Sequence, residues 1–271
     1  MINAILQYQF LQNAALSAAL ASIACGIIGT IIIEKKMVMM SGGIAHTAFG
    51  GIGLGYFLGI EPITGALGFS VLAACIIAKI QRTTKISSDV LIGMFWSLGM
   101  ALGILFIAFT PGYPPDMNSY LFGDILTVSQ LDLKIIITLN CIIVFVILAF
   151  FNLFKAYLFD EEFATVIGIP TIILEYTLYI LIALTVVVLI RVVGIILIIA
   201  LLTAPPSIAR QFTNNLKKVM SISVILGIVF SLTGLWLSYT FQVPSGATII
   251  IVSVMSYLAV SVFQKIRRLP I

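Results

Sequence analysis

An all-α integral membrane protein, a polytopic bundle of about nine transmembrane helices with about eight as the other possible count, is what this sequence predicts. Three observations predict it. The 271 residues are 61% hydrophobic and only 9% charged, where a soluble domain carries about 25% charged residues. Apolar runs recur from end to end, and a crossing needs roughly 20 such residues. Nothing alternates polar and apolar residues over the about ten positions of a barrel strand, so the backbone must satisfy its own hydrogen bonds in lipid as helices.

The runs, in order, are 8–33, 42–59, 63–81, 90–110, 132–154, 171–190, 193–209, 219–240 and 246–263. The opening MINAILQYQF lacks a basic n-region and a small-residue cleavage site, so the first run reads as a span and not as a removed signal. The count turns on residues 171–209. As one helix they would be about 58 Å long against a hydrocarbon core of about 30 Å. Arg191-Val192-Val193-Gly194 is the natural break. With that break every basic residue except Lys134 and Arg191 falls on one side, which the positive-inside rule makes the cytoplasmic one. The N-terminus is then outside and the C-terminus inside. The net charge of +4 collects in these short inner loops and calls for no nucleic acid. Cys25, Cys75 and Cys141 each lie inside an apolar run without CxxC spacing, and read as buried free thiols.

The outer loops collect Glu61, Asp116, Asp124 and Asp132. That is either an electronegative mouth that concentrates cations and docks a partner, or ordinary solvated loop charge. In the second run, Ser41-Gly42-Gly43-Ile44-Ala45-His46-Thr47 carries the one histidine of the chain. An ionisable group in a span points to function, because lipid makes it expensive. Imidazole is a good transition-metal ligand, although a site needs several ligands. The plainer alternative is a neutral histidine bonded to a neighbouring helix. Gly51, Gly55 and Gly59 recur every fourth residue, with Gly50 and Gly53 between them, which is a face for close helix approach. Met37, Met39 and Met40 precede His46 and read as apolar packing, with a soft-metal cluster as the rarer alternative.

The inner loop Leu158–Pro170 predicts a short helix. Asp160 caps it, Glu161 and Glu162 suit its first turn, and Gly168 and Pro170 end it. Phe159, Phe163, Val166 and Ile167 then form an exposed apolar stripe for a partner protein, or for the membrane surface. Glu175, one turn into the next span, reads as snorkelling to the interface, and Asn140 is a further polar residue within a run. Gly194, Pro205 and Pro206 predict a kinked or broken seventh helix of the sort that lines a transport pathway. Gln242-Val243-Pro244-Ser245-Gly246 reads as an outer turn.

These blocks carry a resemblance. Ser41–Gly53, Asp89–Phe106, Asp116–Leu133, Phe159–Pro170, Arg191–Arg210 and Leu237–Val252 stand, in this order and nearly end to end, as they do in the membrane permease subunit of the zinc/manganese/iron (ABC-3 type) metal ABC importer family. The resemblance implies a single transmembrane permease domain over 1–271 with a cytoplasmic coupling segment at about 158–170. It implies a multi-pass cell-membrane protein that imports a divalent metal by alternating access across a homodimer. Its partners would be a cytoplasmic ABC ATPase that binds the ATP and an extracytoplasmic metal-binding protein, with membrane lipid around it.

Within that resemblance Phe159, Asp160, Glu161, Glu162, Phe163 and Gly168 form the ATPase-coupling segment, and no residue is catalytic. The chain has no GxxxxGK[ST] loop, so ATP belongs to the partner; no cofactor is bound permanently and the metal is cargo. Family members usually carry Asp-x-x-x-His here. His46 matches, but Gly42 stands at the Asp position, and Gln242 stands where the outer turn often has Asp. Asp124 is the candidate compensating ligand; otherwise the substrate is a different metal or a chelate, or the ion passes with little coordination. The alternatives are a permease of the same fold for a metal chelate or a cobalamin-like solute, and a secondary transporter without an ATPase. A membrane enzyme is the weakest reading, because no acid/base constellation is present.

Overall fold

The computed structural model describes residues 7–84, 87–112, 120, 121, 123, 125–192, 194, 195 and 198–268. Asp116 and Asp124, two of the carboxylates expected in outer loops, lie outside the described residues, as does Lys85. Eleven α-helices and a single 3-10 turn make up the described residues: α1 Gln9–Glu34, α2 Val38–Leu58, α3 Pro62–Thr83, α4 Ser88–Phe109, the 3-10 turn Ile125–Thr127, α5 Gln130–Ala149, α6 Phe151–Phe159, α7 Glu161–Val166, α8 Thr171–Val192, α9 Ile198–Phe212, α10 Leu216–Phe241 and α11 Ser245–Arg268. Seven of them, α1, α3, α4, α5, α8, α10 and α11, are long and apolar enough to cross a membrane. Helix α2 is 21 residues long, but its glycines and His46 dilute its hydropathy, and α9 has only 15 residues.

Helices α1 and α8 are the most enclosed of the seven, and α4 and α11 the least. What joins them is largely backbone proximity. Along α1, the small residues Ala14, Ala18, Ala21 and Ala24 are fully buried. Gly26 meets the backbone of Val224 on α10, where a Cβ would lie 2.5 Å from its nitrogen. Hydroxyls reinforce that seam: Ser22 and Ser231 are 3.2 Å apart, Thr30 and Ser223 3.4 Å. Without a hydrophobic drive between helices in lipid, such small-residue contacts and interhelical hydrogen bonds hold a bundle.

The predicted glycine face is present, with a correction. A Cβ on Gly51 would lie 2.3 Å from the Gly65 carbonyl of α3, and one on Gly55 2.8 Å from Pro62 Cα. Among the described residues nothing lies within 4 Å of a Cβ placed on Gly59; with φ +66° it is the left-handed C-cap of α2, a conformation glycine adopts without the Cβ penalty. A second face, not read from the sequence, joins α2 to α4: Cβ positions at Gly50 and Gly53 lie 2.9 and 2.5 Å from the carbonyls of Gly99 and Gly103. Helices α2, α3 and α4 therefore touch through main chain along two sides of α2.

The expected break after residue 190 is present. Helix α8 ends at Val192 and Gly194 has φ +83°. Pro205 and Pro206 do not break the chain: both lie inside α9, and the break is at Gly194. A Cβ on Gly29 of α1 would lie 2.2 Å from the Leu202 carbonyl, the acceptor left without its helical donor by Pro206.

Three other expectations need correction. The 132–154 run is not one helix, because Phe150 (φ −108°, ψ 19°) ends α5 and begins α6. Asp132 is not an open mouth carboxylate. It is 4% exposed and closes a capping box with Ser129, whose Oγ accepts from Asp132 N at 3.2 Å while Asp132 Oδ2 accepts from Ser129 N at 3.0 Å. Only Cys25 is buried; Cys75 is partly exposed and Cys141 exposed.

Candidate functional site

Two regions hold the polar side chains that an apolar bundle has to justify. The first is on α2. His46 is 8% exposed and its ring stacks on Trp96 of α4, with centroids 3.9 Å apart and planes at 11°. Its Nδ1 is buried and has no hydrogen-bond partner among the described residues. Next to it, Thr47 Oγ1 donates to Gly43 O at 2.7 Å and to Phe95 O at 3.0 Å, tying α2 to α4 at the same level. Among the described residues the contact recorded for the ring is the stack on Trp96, a residue of the neighbouring helix. A neutral imidazole keeps one nitrogen lone pair available to a ligand.

At Gly42, one turn before His46, a Cβ would lie 2.8 Å from Ile199 Cδ1 and 3.7 Å from Trp96 Cζ3. The place a carboxylate would take is thus bordered by an isoleucine from α9 and the same tryptophan. Among the described residues no three His, Cys, Asp or Glu side chains come together as a metal site. Asp124 lies outside those residues. Of the methionines, Met40 is buried and Met39 is 52% exposed, so they present no common face. Asn140 is buried and donates to Ile136 O at 3.0 Å.

Sequence reasoning passed over Trp96. A signal was there: tryptophan favours the membrane interfaces, and Trp96 sits well inside the α4 span.

The second region gathers at one end of the bundle. Asp160 caps α7, its Oδ1 accepting from Phe163 N at 2.9 Å, and Gly168 (φ +83°) turns the chain out of the helix. Phe163, Val166 and Ile167 are 59, 83 and 54% exposed, and Phe159, which ends α6 and does not belong to α7, is 92% exposed. Glu162 lies in the first turn beside Glu161.

Glu161 faces the bundle. Its carboxylate meets Lys35 Nζ at 2.9 Å and Arg82 at 3.7 Å, and Arg82 also binds Glu175 of α8. Glu175 therefore does not snorkel; it is 9% exposed and held by a guanidinium. Lys35 lies 3.7 Å above the Tyr157 ring. Burial first, and then the carboxylates of Glu161 and Glu175, push the Tyr157 phenol well above its usual range, so it stays neutral beneath the ammonium. Nearby, Arg210 at the end of α9 pairs with Glu34 at the end of α1 at 3.1 Å. An open cleft of about 840 Å³ follows, between Phe151, Lys155, Phe159 and Lys217.

The described residues thus form a helical bundle with membrane-length helices, a lone buried imidazole on α2 and, at one end, an apolar-tipped helix anchored by ion pairs. The comparisons say which kind. The model of the ABC 3 transport family matches residues 7–264, and the chain belongs to that family. It is 44% identical over 260 residues to an uncharacterized membrane protein of Synechocystis sp., covering 96% of this chain and 92% of that one. It is 35% identical over 257 residues to the manganese import system permease protein ScaB of Streptococcus gordonii, covering 95% and 92%. Among solved structures it superposes on a chain of PsaBC from Streptococcus pneumoniae in complex with Fab, with TM-score 0.87 and 34% identity over 96% of this chain and 93% of that chain.

Proposed function

We propose that this chain is the membrane-spanning subunit of an ATP-driven importer for a divalent metal ion, with manganese as the first cargo to test. The observation that carries the reading is the end-to-end family match in which His46 sits buried, with a free ring nitrogen, on the helix most tightly locked into the bundle. Manganese comes from the names of relatives such as ScaB. The chain crosses the membrane nine times, α2 and α9 adding to the seven long spans, with the N-terminus outside. The end bearing Lys35, Arg82 and Arg210 is cytoplasmic, which the positive-inside rule favours. Two copies enclose the path, an ATPase subunit docks on the apolar tip of α7, and a metal-binding protein delivers the ion from outside. Transport is alternating access, driven through α7.

The test is a multi-element profile of cells grown under metal limitation, with the gene deleted and restored. A fall in manganese alone on deletion, recovered on restoration, is expected. A fall in zinc or iron alone renames the cargo, and an unchanged profile overturns the reading.

A second reading, a metal chelate as cargo, is favoured by one observation: Ile199 and Trp96 border the position of the usual carboxylate, leaving an imidazole alone. Gly42→Asp combined with Ile199→Val distinguishes the two. For a bare ion the added carboxylate, one turn from His46, is expected to raise manganese binding about tenfold, equivalent to about 1.4 kcal/mol. For a chelate it is expected to lower uptake.

The exposed tip gives a further expectation. Phe163→Asp with Val166→Asp should leave the fold intact, because both side chains are more than half exposed. Co-purification of the ATPase should be lost. Retention of the ATPase would move its docking site elsewhere.

A further inference from the structure

Glu161 belongs to the segment expected to face the ATPase, yet its carboxylate points inward to Lys35 and Arg82. Three chain segments far apart in sequence meet there. Lys35 follows α1, Arg82 ends α3, and Glu175 opens α8. Arg82 is the only one of these that touches both carboxylates, 3.7 Å from Glu161 and in a closer bond through Nε to Glu175. The guanidinium suits this: it is planar, always charged, and presents donors in several fixed directions. A second tie lies one residue away, where Gln81 Oε1 accepts from Tyr179 Oη of α8 at 2.6 Å and Gln81 Nε2 donates to Ser88 Oγ of α4 at 2.7 Å.

What α3 is joined to makes this node consequential. Gly51 against Gly65 leaves no room for a methyl between α2 and α3, and Gly50 and Gly53 do the same between α2 and α4. Main-chain contact of this kind does not slide by side-chain repacking, because close-packed interiors transmit displacement and do not absorb it. Helices α2, α3 and α4 thus form one stiff unit that carries His46, and Arg82 sits at its end.

We propose that Arg82 is a positioning residue that transmits movement of α7 to the His46-bearing unit, by holding Glu161 on α7 and Glu175 on α8 at once. The inference rests on the reading of α7 as the ATPase-facing segment. A push on α7 reaches α3 through the Glu161–Arg82 pair, and α3 carries α2 with it through the glycine contacts. Lys35, the C-cap of α1 just before α2 begins, also pairs with Glu161 but makes no ion pair with Glu175, so Arg82 is the cation that joins α7 to α8. Arg82 and Lys35 therefore differ in role although both pair with the same carboxylate.

The test uses the complex of this chain with its ATPase, reconstituted in liposomes, reading ATP hydrolysed and manganese, zinc or iron taken up in the same sample. Arg82→Gln is expected to keep the ATPase bound and hydrolysing while ions moved per ATP fall about fivefold. Arg82→Lys, which keeps the charge but not the fork, should recover part of that ratio. Lys35→Gln should change it less than about twofold. Because Arg82→Gln strands a buried carboxylate and can destabilise the fold, the double variant Arg82→Gln/Glu175→Gln is the companion. It removes both members of the buried pair and should fold and be uncoupled. A wild-type ratio in that folded double variant overturns the inference, as does a parallel fall of uptake and hydrolysis. Failure of the wild-type complex to take up any of the three metals overturns the importer reading and this inference with it, a result distinct from an intact wild type beside coupled variants.

Discussion

Gly51→Val should leave almost no folded protein in the membrane. The added carbons would meet the Gly65 carbonyl, 2.3 Å from the Cβ position, and Phe69 Cβ at 2.6 Å. A flexible side chain swings away from an intruder; a carbonyl in a helix moves only with the helix. Helices α2 and α3 must therefore separate, and α2 is held on its other side by Gly99 and Gly103. Overpacking costs about 1–3 kcal/mol where side chains can adjust. Here the backbone has to move, so the upper end or more is expected, a large part of a total stability of about 5–15 kcal/mol. The measurement is the yield and melting temperature of detergent-extracted protein by fluorescence-detected size exclusion. Gly68→Ala is the control: its Cβ meets nothing within 4 Å, and alanine in a helix is favoured over glycine by up to about 1 kcal/mol. It should melt at the wild-type temperature or above. Equal melting of the two variants would show that the α2–α3 contact is not tight.

His46→Ala should abolish metal accumulation while leaving the protein folded. Alanine suits a helix interior, and the lost stack on Trp96 is worth about 0.5–1.5 kcal/mol, which the bundle survives. A metal ion held by His46 would lose its imidazole, and among the described residues no three His, Cys, Asp or Glu side chains gather to replace it. Uptake into metal-limited cells should fall about tenfold or more, a factor of ten corresponding to about 1.4 kcal/mol. Trp96→Leu should have the smaller effect, because it frees the ring without removing the ligand atom. Accumulation at wild-type level in folded His46→Ala would take the imidazole off the path.

The long helices were legible because apolar runs are interrupted by charge: α1 gives way to Glu34 and Lys35, α3 to Arg82, α8 to Arg191. The α5–α6 break was not legible. Phe150 and Phe151 continue the apolar run, and only a backbone turn separates the helices. Around the site, His46 stood out as the lone histidine, and Asp160 and Gly168 as the ends of α7, since local chemistry decides a cap. Trp96 over His46, and Arg82 between Glu161 and Glu175, depend on segments 50, 79 and 93 residues apart meeting in space. Periodicity and spacing carry no trace of such meetings. Glu175 and Asp132 were misjudged for the same cause: a carboxylate looks solvated until its partner, Arg82 or the Ser129 cap, is placed beside it.

Adjacent prolines in α9 give that helix a weak point along its length. The carbonyls of Leu201 and Leu202 have no helical donor from residues 205 and 206, so two rungs of the ladder are missing side by side. Flexural stiffness falls where rungs are missing. The half of α9 bearing Ile199 rests against Gly42 near the imidazole, and the half bearing Arg210 is tethered to Glu34. The two halves can therefore change their mutual angle between Leu201 and Pro206, at the level where the Leu202 carbonyl closes on Gly29 of α1, so a bend there moves α1 with it.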